Sequence, residues 1–242
     1  VVRGTEYLSS TPKYNLLYEA FGWEIPVYVH CPPVMKDAHT KLSKRNGDAS
    51  YEDLVAAGYL KEAVLNYIAL LGWSPGGEQE VFTLPELVQA FDISGISKSP
   101  SIFDTNKLRW LNGEYIRRLS PEAFYDMARP WLDQGIHSDS IDKRAVAALL
   151  QPRCELLSEI PEQVDFLDKL PEYDTALYCH KKMKTDCENS LASLQAILPV
   201  LEGLDTWTNE SLYEALVALA AKLEVKNSVV LWPLRVAVSG KA

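Results

Sequence analysis

The sequence predicts a mainly α-helical chain in which a small α/β unit is followed by a helical array. Within the first 40 residues the order is strand, helix, strand, which is typical of the last unit of an α/β sheet. Beyond a loop at residues 74–77 helical periodicity dominates. Prolines also fall where connections between helices are expected, at Pro121, Pro130, Pro152, Pro161, Pro171 and Pro199.

The α/β unit comes first. Val1 and Val2, followed by Gly4, have the pattern of a strand end. Thr11 is expected to cap a helix with Pro12 at its first position, and Gly22 is expected to stop it. The alternating stretch 27–30 predicts a second short strand.

The helical array follows. Ser50 and Asp53 predict a capping box that opens a short helix ending at Gly58. The next helix, 61–71, is expected to place Val64, Leu65, Ile68 and Leu71 on one face. After a loop at 74–77, further helices are predicted at 84–91, 105–118, 121–132, 142–151, 164–169, 187–198, 210–223 and 229–238.

Composition limits the class of protein. The 242 residues are 47% hydrophobic, which is ordinary for a globular chain, and no apolar run approaches the roughly 20 residues of a membrane span. We therefore expect a cytoplasmic protein without a membrane partner. The net charge of −9 taken alone favours a protein or small-molecule partner, but basic residues cluster at 41–45, 107–118 and 181–184. Phosphate binding by a local patch stays open.

The cysteines and histidines give no signal for a metal. Cys31, Cys154, Cys179 and Cys187 form no CxxC pair, so neither a disulfide framework nor a zinc site is indicated. Reduced, structural thiols are the expectation. His137 and His180 have no convincing ligand partners in the sequence and are interpreted as structural.

The segment 41–45, Lys-Leu-Ser-Lys-Arg, is the most informative for chemistry. It lies in a polar loop after a strand, and lysines three residues apart with an adjacent arginine can present several cationic donors to a triphosphate. Such donors stabilise the charge that builds up on transferring and leaving phosphate oxygens. The alternative is a solvated basic loop.

The segment resembles the KMSKS signature of class I aminoacyl-tRNA synthetases, and its neighbours resemble the bacterial-type glutamyl branch. Residues 2–12 resemble VIRGxDHLxNTP, and 58–67 with 70–74 resemble GYLPEALLNYLALLGWS. Residues 103–116 resemble FDxxKLxWxNxxYI. The second half resembles the family more thinly, at 151–153, at 233–235 and at Gly240. The stretches occur in the family's order.

The resemblance assigns catalytic and substrate-binding roles. Arg3 would pair with a carboxylate of substrate glutamate, with a strand-end ion pair as the alternative. Lys41 and Lys44 would be the catalytic lysines that stabilise adenylyl transfer. The resemblance implies an ATP-binding set made of Glu6, Tyr7, Val34, Lys41, Ser43, Lys44 and Arg45. Where Glu6 and Tyr7 stand the family has Asp-His, and Val34 would meet adenine through its backbone.

Two arginines match anticodon-side positions of the family. Arg153 would approach the last anticodon base, and Arg235 is a second such arginine. Their alternative is an ordinary surface or helix-end charge. Trp110, Asn112 and Tyr115 are expected to pack at a domain junction rather than to contact RNA.

The resemblance also implies an architecture and an activity. Residues 1–60 would end a Rossmann-type catalytic domain, 61–119 would form a stem-contact region, and 120–242 would be an α-helical anticodon-binding domain truncated at its carboxy terminus. The parent would be a monomeric glutamate–tRNA ligase that uses ATP with Mg²⁺, L-glutamate and tRNA(Glu). No HIGH motif occurs in the sequence, so the fragment alone is expected to be inactive.

Two other readings remain at this stage. The first is a non-catalytic tRNA- or protein-binding helical module derived from a synthetase. The second is a helical scaffold without an RNA role, which fits the acidic charge but leaves the ordered motif matches unexplained.

Overall fold

The computed structural model describes residues 1–43 and 50–241, which fall into two compact units. The first unit comprises residues 1–131 and 142–160, and the second comprises 132–141 and the chain from residue 161 onward. Eleven α-helices and four short strands are found within the described residues. The predicted mainly α-helical fold class is confirmed.

The helices are α1 (Thr11–Ala20), α2 (Tyr51–Ala56), α3 (Lys61–Leu70), α4 (Leu84–Ala90), α5 (Thr105–Arg118), α6 (Pro121–Gly135), α7 (Lys143–Leu150), α8 (Ile160–Val164), α9 (Cys187–Glu202), α10 (Asn209–Lys222) and α11 (Asn227–Ser239). The strands are β1 (Val2–Gly4), β2 (Val29–Cys31), β3 (Val34–Met35) and β4 (Ser101–Ile102).

The chain starts with the predicted strand–helix–strand unit. Strand β1 pairs in parallel with β2, so that Arg3 stands opposite His30. A 3-10 turn (Thr5–Ser10) leads from β1 into α1. The prediction that Thr11 caps α1 is wrong, because Ser10 is the N-cap residue and Thr11 is already inside the helix. The Thr11 hydroxyl is instead occupied by Arg3, which donates to it, and by the Tyr7 carbonyl, which accepts from it.

A second parallel pair, β3 with β4, has no counterpart in the prediction. Val34 stands opposite Ser101, and Met35 stands opposite Ile102. Each strand has only two residues, and the pairing joins distant parts of the chain. Alternation along the sequence therefore cannot reveal it.

Helix α3 buries only part of the predicted face: Val64 is in the core and Leu71 packs against it, but the other two residues are not buried. Leu65 and Ile68 are 45% and 52% exposed, whereas Asn66 and Tyr67 are buried. The helix is turned this way because the Asn66 amide and the Tyr67 hydroxyl bind backbone groups of other segments, as described below. The predicted capping box of α2 is confirmed: Ser50 accepts from the Asp53 N–H, and Asp53 accepts from the Ser50 N–H.

Two prolines expected in connections lie inside helices. Pro130 is within α6, and Pro199 is within the last turn and a half of α9. An interior proline costs about 3 kcal/mol, so burial of each helix's apolar face must offset that cost. The helix predicted at 164–169 is replaced by α8, which starts earlier, and a 3-10 turn (Asp165–Leu167).

Each unit has its own hydrophobic core. In the first unit one cluster contains Tyr59, Val64, Tyr67, Leu108, Leu111 and Leu156, and a smaller one contains Trp73, Phe82 and Leu87. In the second unit the cluster contains Ile197, Leu216, Leu219, Ala220 and Val230. By contrast, none of the described residues from 1 to 57 is buried.

Candidate functional site

Arg3 lies at the centre of a cluster of aromatic rings. Its guanidinium carbon is 5.4 Å from the ring centre of Tyr7, 5.1 Å from that of Tyr14 and 4.9 Å from that of Tyr28. These three rings come from the 3-10 turn, from α1 and from the residue before β2. Cation–π attraction at such distances holds the guanidinium in place without neutralising its charge.

Polar contacts fix the same side chain. Arg3 Nη2 donates to Thr11 Oγ1 at 2.6 Å, and Arg3 Nε donates to His30 Nε2 at 3.3 Å. No carboxylate in the described part of the chain pairs with Arg3, so the strand-end ion pair is not formed there. A guanidinium has five donors, and two contacts leave donors for an anionic ligand.

Glu6 and Tyr7 follow on the 3-10 turn, and both side chains are exposed. The Glu6 carboxylate folds back over Gly4, where any Cβ would collide with it. The absence of a side chain at Gly4 therefore leaves the space that the Glu6 carboxylate occupies. One predicted ATP-binding residue, Tyr7, thus faces the guanidinium of the predicted glutamate-binding residue.

Lys41 stands on a tight hairpin that folds back on β3. Met35 and Lys41 form an antiparallel bridge, and the Lys36 N–H donates to the Thr40 carbonyl at 2.8 Å. The Asp37 carboxylate accepts from the His39 and Thr40 N–H groups at 2.8 Å each, and these bonds lower the pKa of Asp37. The hairpin presents the Lys41 side chain to solvent.

The rest of the predicted ATP-binding set surrounds this hairpin in the sequence. The Val34 carbonyl accepts from the Leu42 N–H at 3.0 Å, so this backbone group already has a partner. Ser43 is half-buried at the end of the described stretch. Lys44 and Arg45, which the sequence predicts to contact ATP phosphates, lie outside the described residues.

Arg153 and Arg235 are both exposed but belong to different units. Arg153 ends a 3-10 turn (Gln151–Arg153) after α7. Gln151, in the same turn, donates to the Ile116 and Leu119 carbonyls at 3.1 and 2.8 Å and so caps the end of α5. Arg235 lies on α11 with its guanidinium 5.9 Å from the Trp232 ring centre.

Asn112, which the sequence predicts to be a packing residue, is buried and connects several segments through its side-chain hydrogen bonds. Its side chain is 0% exposed; Oδ1 accepts from the Leu60 N–H at 2.8 Å, and Nδ2 donates to the Glu155 carbonyl at 2.6 Å. One amide thus ties α5 to the start of α3 and to the segment after α7. The prediction of a packing role fits Asn112.

Asn66 plays the same part elsewhere in the first unit. It is 0% exposed, accepts from the Phe82 N–H at 2.7 Å and the Tyr115 hydroxyl at 2.8 Å, and donates to the Glu80 carbonyl at 3.0 Å. No role for Asn66 was predicted from the sequence, because an asparagine within a helical pattern is typical of a surface residue. Burial also raises the pKa of Tyr115.

Trp110 departs from the packing prediction, since it is 39% exposed and lines an open depression of about 630 Å³. The other residues of the lining are Glu78, Gln79, Glu80, Val81, Glu86 and Arg118. Three of them are acidic, so this depression does not suit a phosphate. It contains none of the residues predicted to bind ATP, glutamate or the anticodon.

An ion-pair network braces α5 near Asn112. Arg109 Nη1 and Nη2 bind the two Glu159 oxygens at 2.6 and 3.0 Å, and Nε lies 3.5 Å from Glu155 Oε2. The hydrogen bonds to Glu159 raise the pKa of Arg109. Arg109 therefore has a structural role, because its forked pair with Glu159 connects α5 to the segment after α7.

The cysteines differ from the expectation of structural thiols. Only Cys154 is buried, and its burial raises the thiol pKa to about 11. Cys179 and Cys187 are exposed.

None of the helices in residues 1–43 and 50–241 is long and apolar enough to cross a membrane.

Comparison with known families accounts for both halves of the chain. Residues 1–110 match the family model described as tRNA synthetases class I (E and Q), catalytic domain. Residues 123–242 match the family model described as anticodon binding domain. Together these matches leave only residues 111–122 unassigned.

Relatives match along the whole chain. A glutamate–tRNA ligase of Clostridium botulinum (strain Hall) is 61% identical over 241 residues, covering 100% of this chain and 50% of the relative. That of Clostridium tetani is 59% identical over 241 residues, covering 100% and 49%. The chain thus spans about half the length of the curated relatives it matches.

A solved structure matches in the same way. The crystal structure of a glutamate tRNA ligase from Elizabethkingia meningosepticum, in complex with its amino acid, aligns with a TM-score of 0.76 and 27% identity. The alignment covers 100% of this chain and 51% of that one.

Proposed function

This chain belongs to the class I tRNA synthetases of the glutamate and glutamine group, and we propose that it is part of an ATP-dependent glutamate–tRNA ligase. In that reaction a glutamate carboxylate attacks the α-phosphorus of ATP and pyrophosphate leaves. The terminal ribose hydroxyl of tRNA(Glu) then takes the glutamyl group from the adenylate. The observation that carries the proposal is the similarity to glutamate–tRNA ligases along the entire chain.

Arg3 binds the carboxylate of substrate glutamate in this proposal. Its guanidinium pairs with no carboxylate of the described residues and has N–H donors left for a ligand. Three tyrosine rings and the Thr11 hydroxyl hold it in place. A forked donor held in advance loses little freedom when a carboxylate binds. The match to residues 2–12 of the family pattern supports the role.

Glu6, Tyr7 and Val34 bind the nucleoside part of ATP. An exposed carboxylate and an exposed phenol ring can bind ribose hydroxyls and cover a base. Because the Val34 carbonyl is already bonded to Leu42, adenine contact through this residue would use its remaining backbone and side-chain atoms.

Lys41, Ser43, Lys44 and Arg45 act on the phosphates of Mg²⁺-bound ATP. Lys41 is exposed at the end of a hairpin that Asp37 stabilises, so an ammonium group is available to an anion there. It would stabilise charge on the leaving pyrophosphate during adenylyl transfer. The roles of Lys44 and Arg45 rest on the resemblance alone.

The RNA contacts divide along the chain. Residues 1–60 would complete the catalytic domain, 61–119 would contact the acceptor-side stem, and 120–242 would bind the anticodon. Arg153 and Arg235 are exposed arginines that no described carboxylate neutralises, which suits contact with bases and phosphates. The intact ligase would act as a cytoplasmic monomer.

The first test is tRNA binding by the 242-residue chain at two salt concentrations. Binding to tRNA(Glu) transcript is expected to be tighter than to an anticodon-mutated transcript and to weaken as salt rises. Equal binding of tRNA(Glu) and an unrelated tRNA would contradict the recognition role.

Glutamate-dependent ATP–pyrophosphate exchange by the chain alone is expected to be absent, and measurable exchange would overturn that expectation.

Activity is tested in a chimera, in which this chain replaces the matching half of the Clostridium botulinum relative. The 61% identity across the exchanged half makes correct joining feasible. The chimera is expected to catalyse glutamate-dependent exchange in the presence of tRNA(Glu). An inactive but folded chimera, beside an active relative, would contradict the proposed activity.

Arg153 is tested by its own variant. We expect Arg153→Gln in the chimera to relax preference at the last anticodon base by about tenfold, since a good contact between arginine and a base contributes roughly 1–3 kcal/mol of discrimination. The measurement is charging of transcripts that differ only at that base. Arg144→Gln, an exposed arginine on α7, is the matched control, and an unchanged preference in Arg153→Gln would remove the assignment.

A further inference from the structure

Two exposed thiols meet in the second unit. Cys179 Sγ and Cys187 Sγ are 3.1 Å apart, and both residues are exposed to solvent. A disulfide bond is about 2.05 Å long, so the sulfur atoms need to approach by only about 1 Å. Neither thiol has a part in the proposed ligase reaction.

The backbone on both sides of the pair is already paired. His180 and Thr185 exchange two backbone hydrogen bonds of 3.0 and 3.2 Å, which close a turn formed by residues 181–184. Lys184 has a φ of 61° in this turn, a left-handed conformation that allows the chain to reverse. Cys179 and Cys187 flank the closed turn and therefore face each other.

Side chains anchor the same segment to two helices. Ser190 Oγ on α9 donates to the Tyr178 carbonyl at 3.1 Å, and Ser228 Oγ on α11 donates to the Met183 carbonyl at 3.0 Å. The His180 ring packs on the Trp232 ring with centres 4.4 Å apart. Because these contacts hold the backbone, closing a bond between the two sulfurs costs little conformational entropy.

We propose that Cys179 and Cys187 form a reversible intramolecular disulfide, which makes this turn a thiol–disulfide exchange site for low-molecular-weight disulfides. One cysteine thiolate attacks a sulfur of the small disulfide, forming a mixed disulfide and releasing one small thiolate. The second cysteine thiolate then attacks the Sγ of the first cysteine, which forms the Cys179–Cys187 bond, breaks the mixed disulfide and releases the second small thiolate. Two protein thiols are oxidised, and the small disulfide is reduced to two thiols.

The turn closed by this bond is basic. Lys181, Lys182 and Lys184 are exposed and carry no ion pair with a carboxylate of the described chain. The disulfide therefore fixes both ends of a cationic segment on an acidic protein. Its lysines also lie between the two cysteines, so trypsin cleaves between them.

The test uses the whole chain and oxidised glutathione as the small disulfide. We expect two of the four thiols to be lost, the mass to fall by about 2 Da, and no glutathione to remain attached. After alkylation, unfolding and trypsin digestion, the peptides containing Cys179 and Cys187 should stay joined until a reductant is added. Without unfolding, cleavage within the turn should be severalfold slower in the oxidised protein.

Single variants separate this bond from other thiol chemistry. Cys179→Ser and Cys187→Ser should each keep a glutathione adduct on the remaining cysteine of the pair. Cys31→Ser, a half-buried thiol of β2, is the matched control and should still lose two thiols. Stable adducts on both cysteines of the unaltered chain, pairing with Cys31 or Cys154, or disulfide-linked dimers would overturn the proposal.

Discussion

The first unit contains two regions that differ in how they use their side chains. In residues 1–43 the residues proposed for chemistry are exposed or half-buried, and no side chain is buried. In residues 58–131 and 142–160 two asparagines that are 0% exposed bond backbone groups from several segments. Stability is therefore concentrated in the second region, and ligand-binding groups are concentrated in the first.

The largest expected effect is on the free energy of unfolding and comes from replacing the buried Asn112. Asn112→Leu leaves the Leu60 N–H and the Glu155 carbonyl without partners, and each buried unpaired group costs about 1–3 kcal/mol. We expect the free energy of unfolding to fall by about 4 kcal/mol, measured by urea denaturation. Asn106→Ala, exposed on the same helix, should change it by less than about 0.5 kcal/mol. A loss below about 1 kcal/mol in Asn112→Leu would contradict the contrast between the regions.

The next effect falls on activity rather than on stability. Lys41→Met in the chimera should lower kcat for pyrophosphate exchange by about 100-fold, because one preorganised donor to the developing phosphate charge is lost. The unfolding free energy of the chain should stay within about 0.5 kcal/mol, since Lys41 is exposed. Lys61→Met, whose side chain is 74% exposed, serves as the control for charge removal. Full activity in Lys41→Met would show that the hairpin lysine does not contact phosphate.

A smaller change is expected at Arg3. Arg3→Lys keeps the positive charge but loses the forked donors, so the KM for glutamate in the chimera should rise about tenfold, equivalent to about 1.4 kcal/mol. The measurement is exchange velocity against glutamate concentration at saturating ATP. Arg117→Lys, which replaces a guanidinium that bonds Glu114 through Nη2 at 2.6 Å, should leave KM unchanged. A rise in the KM for ATP instead would assign Arg3 to the nucleotide.

The smallest effect concerns the hairpin that presents Lys41. Backbone hydrogen bonds from His39 and Thr40 hold the pKa of Asp37 below its usual value of 3.8. A lowered pKa means that the carboxylate stabilises the hairpin above pH 3.8 and that this contribution is lost as the pH falls through the folded-state pKa. The His39 and Thr40 amide resonances should therefore show a titration step with its midpoint below 3.8, and this step should be absent in Asp37→Asn. A midpoint for Asp37 at or above 3.8 would contradict the hydrogen bonds from His39 and Thr40 that stabilise the hairpin.

Local signals in the sequence predicted local structure well. The capping box of Ser50 and Asp53 is confirmed, and so is the order of strand, helix and strand at the start. These features depend on residues within a few positions of each other or on simple periodicity. Helix ends near prolines were less predictable, as Pro130 and Pro199 show. There, packing of a whole helix face outweighs a single unfavourable residue.

Contacts between distant segments could not be predicted. The buried face of α3 depends on Asn66 finding the backbone at residues 80 and 82, and the aromatic rings around Arg3 include Tyr28 from beyond α1. Neither arrangement has a periodic signature. The family resemblance identified Arg3, Lys41, Arg153 and Arg235 as candidates, but it did not indicate which neighbours hold each side chain. The meeting of Cys179 with Cys187 was missed for the same reason.

The most direct test of the central claim is tRNA charging by the chimera, with glutamate and tRNA(Glu) in the presence of Mg²⁺ and ATP. The account predicts glutamyl-tRNA formation that is greatly reduced by Lys41→Met and unaffected by Lys61→Met. Charging that is absent in a folded chimera, or that persists unchanged in Lys41→Met, would contradict the assignment of this chain to the working half of a glutamate–tRNA ligase.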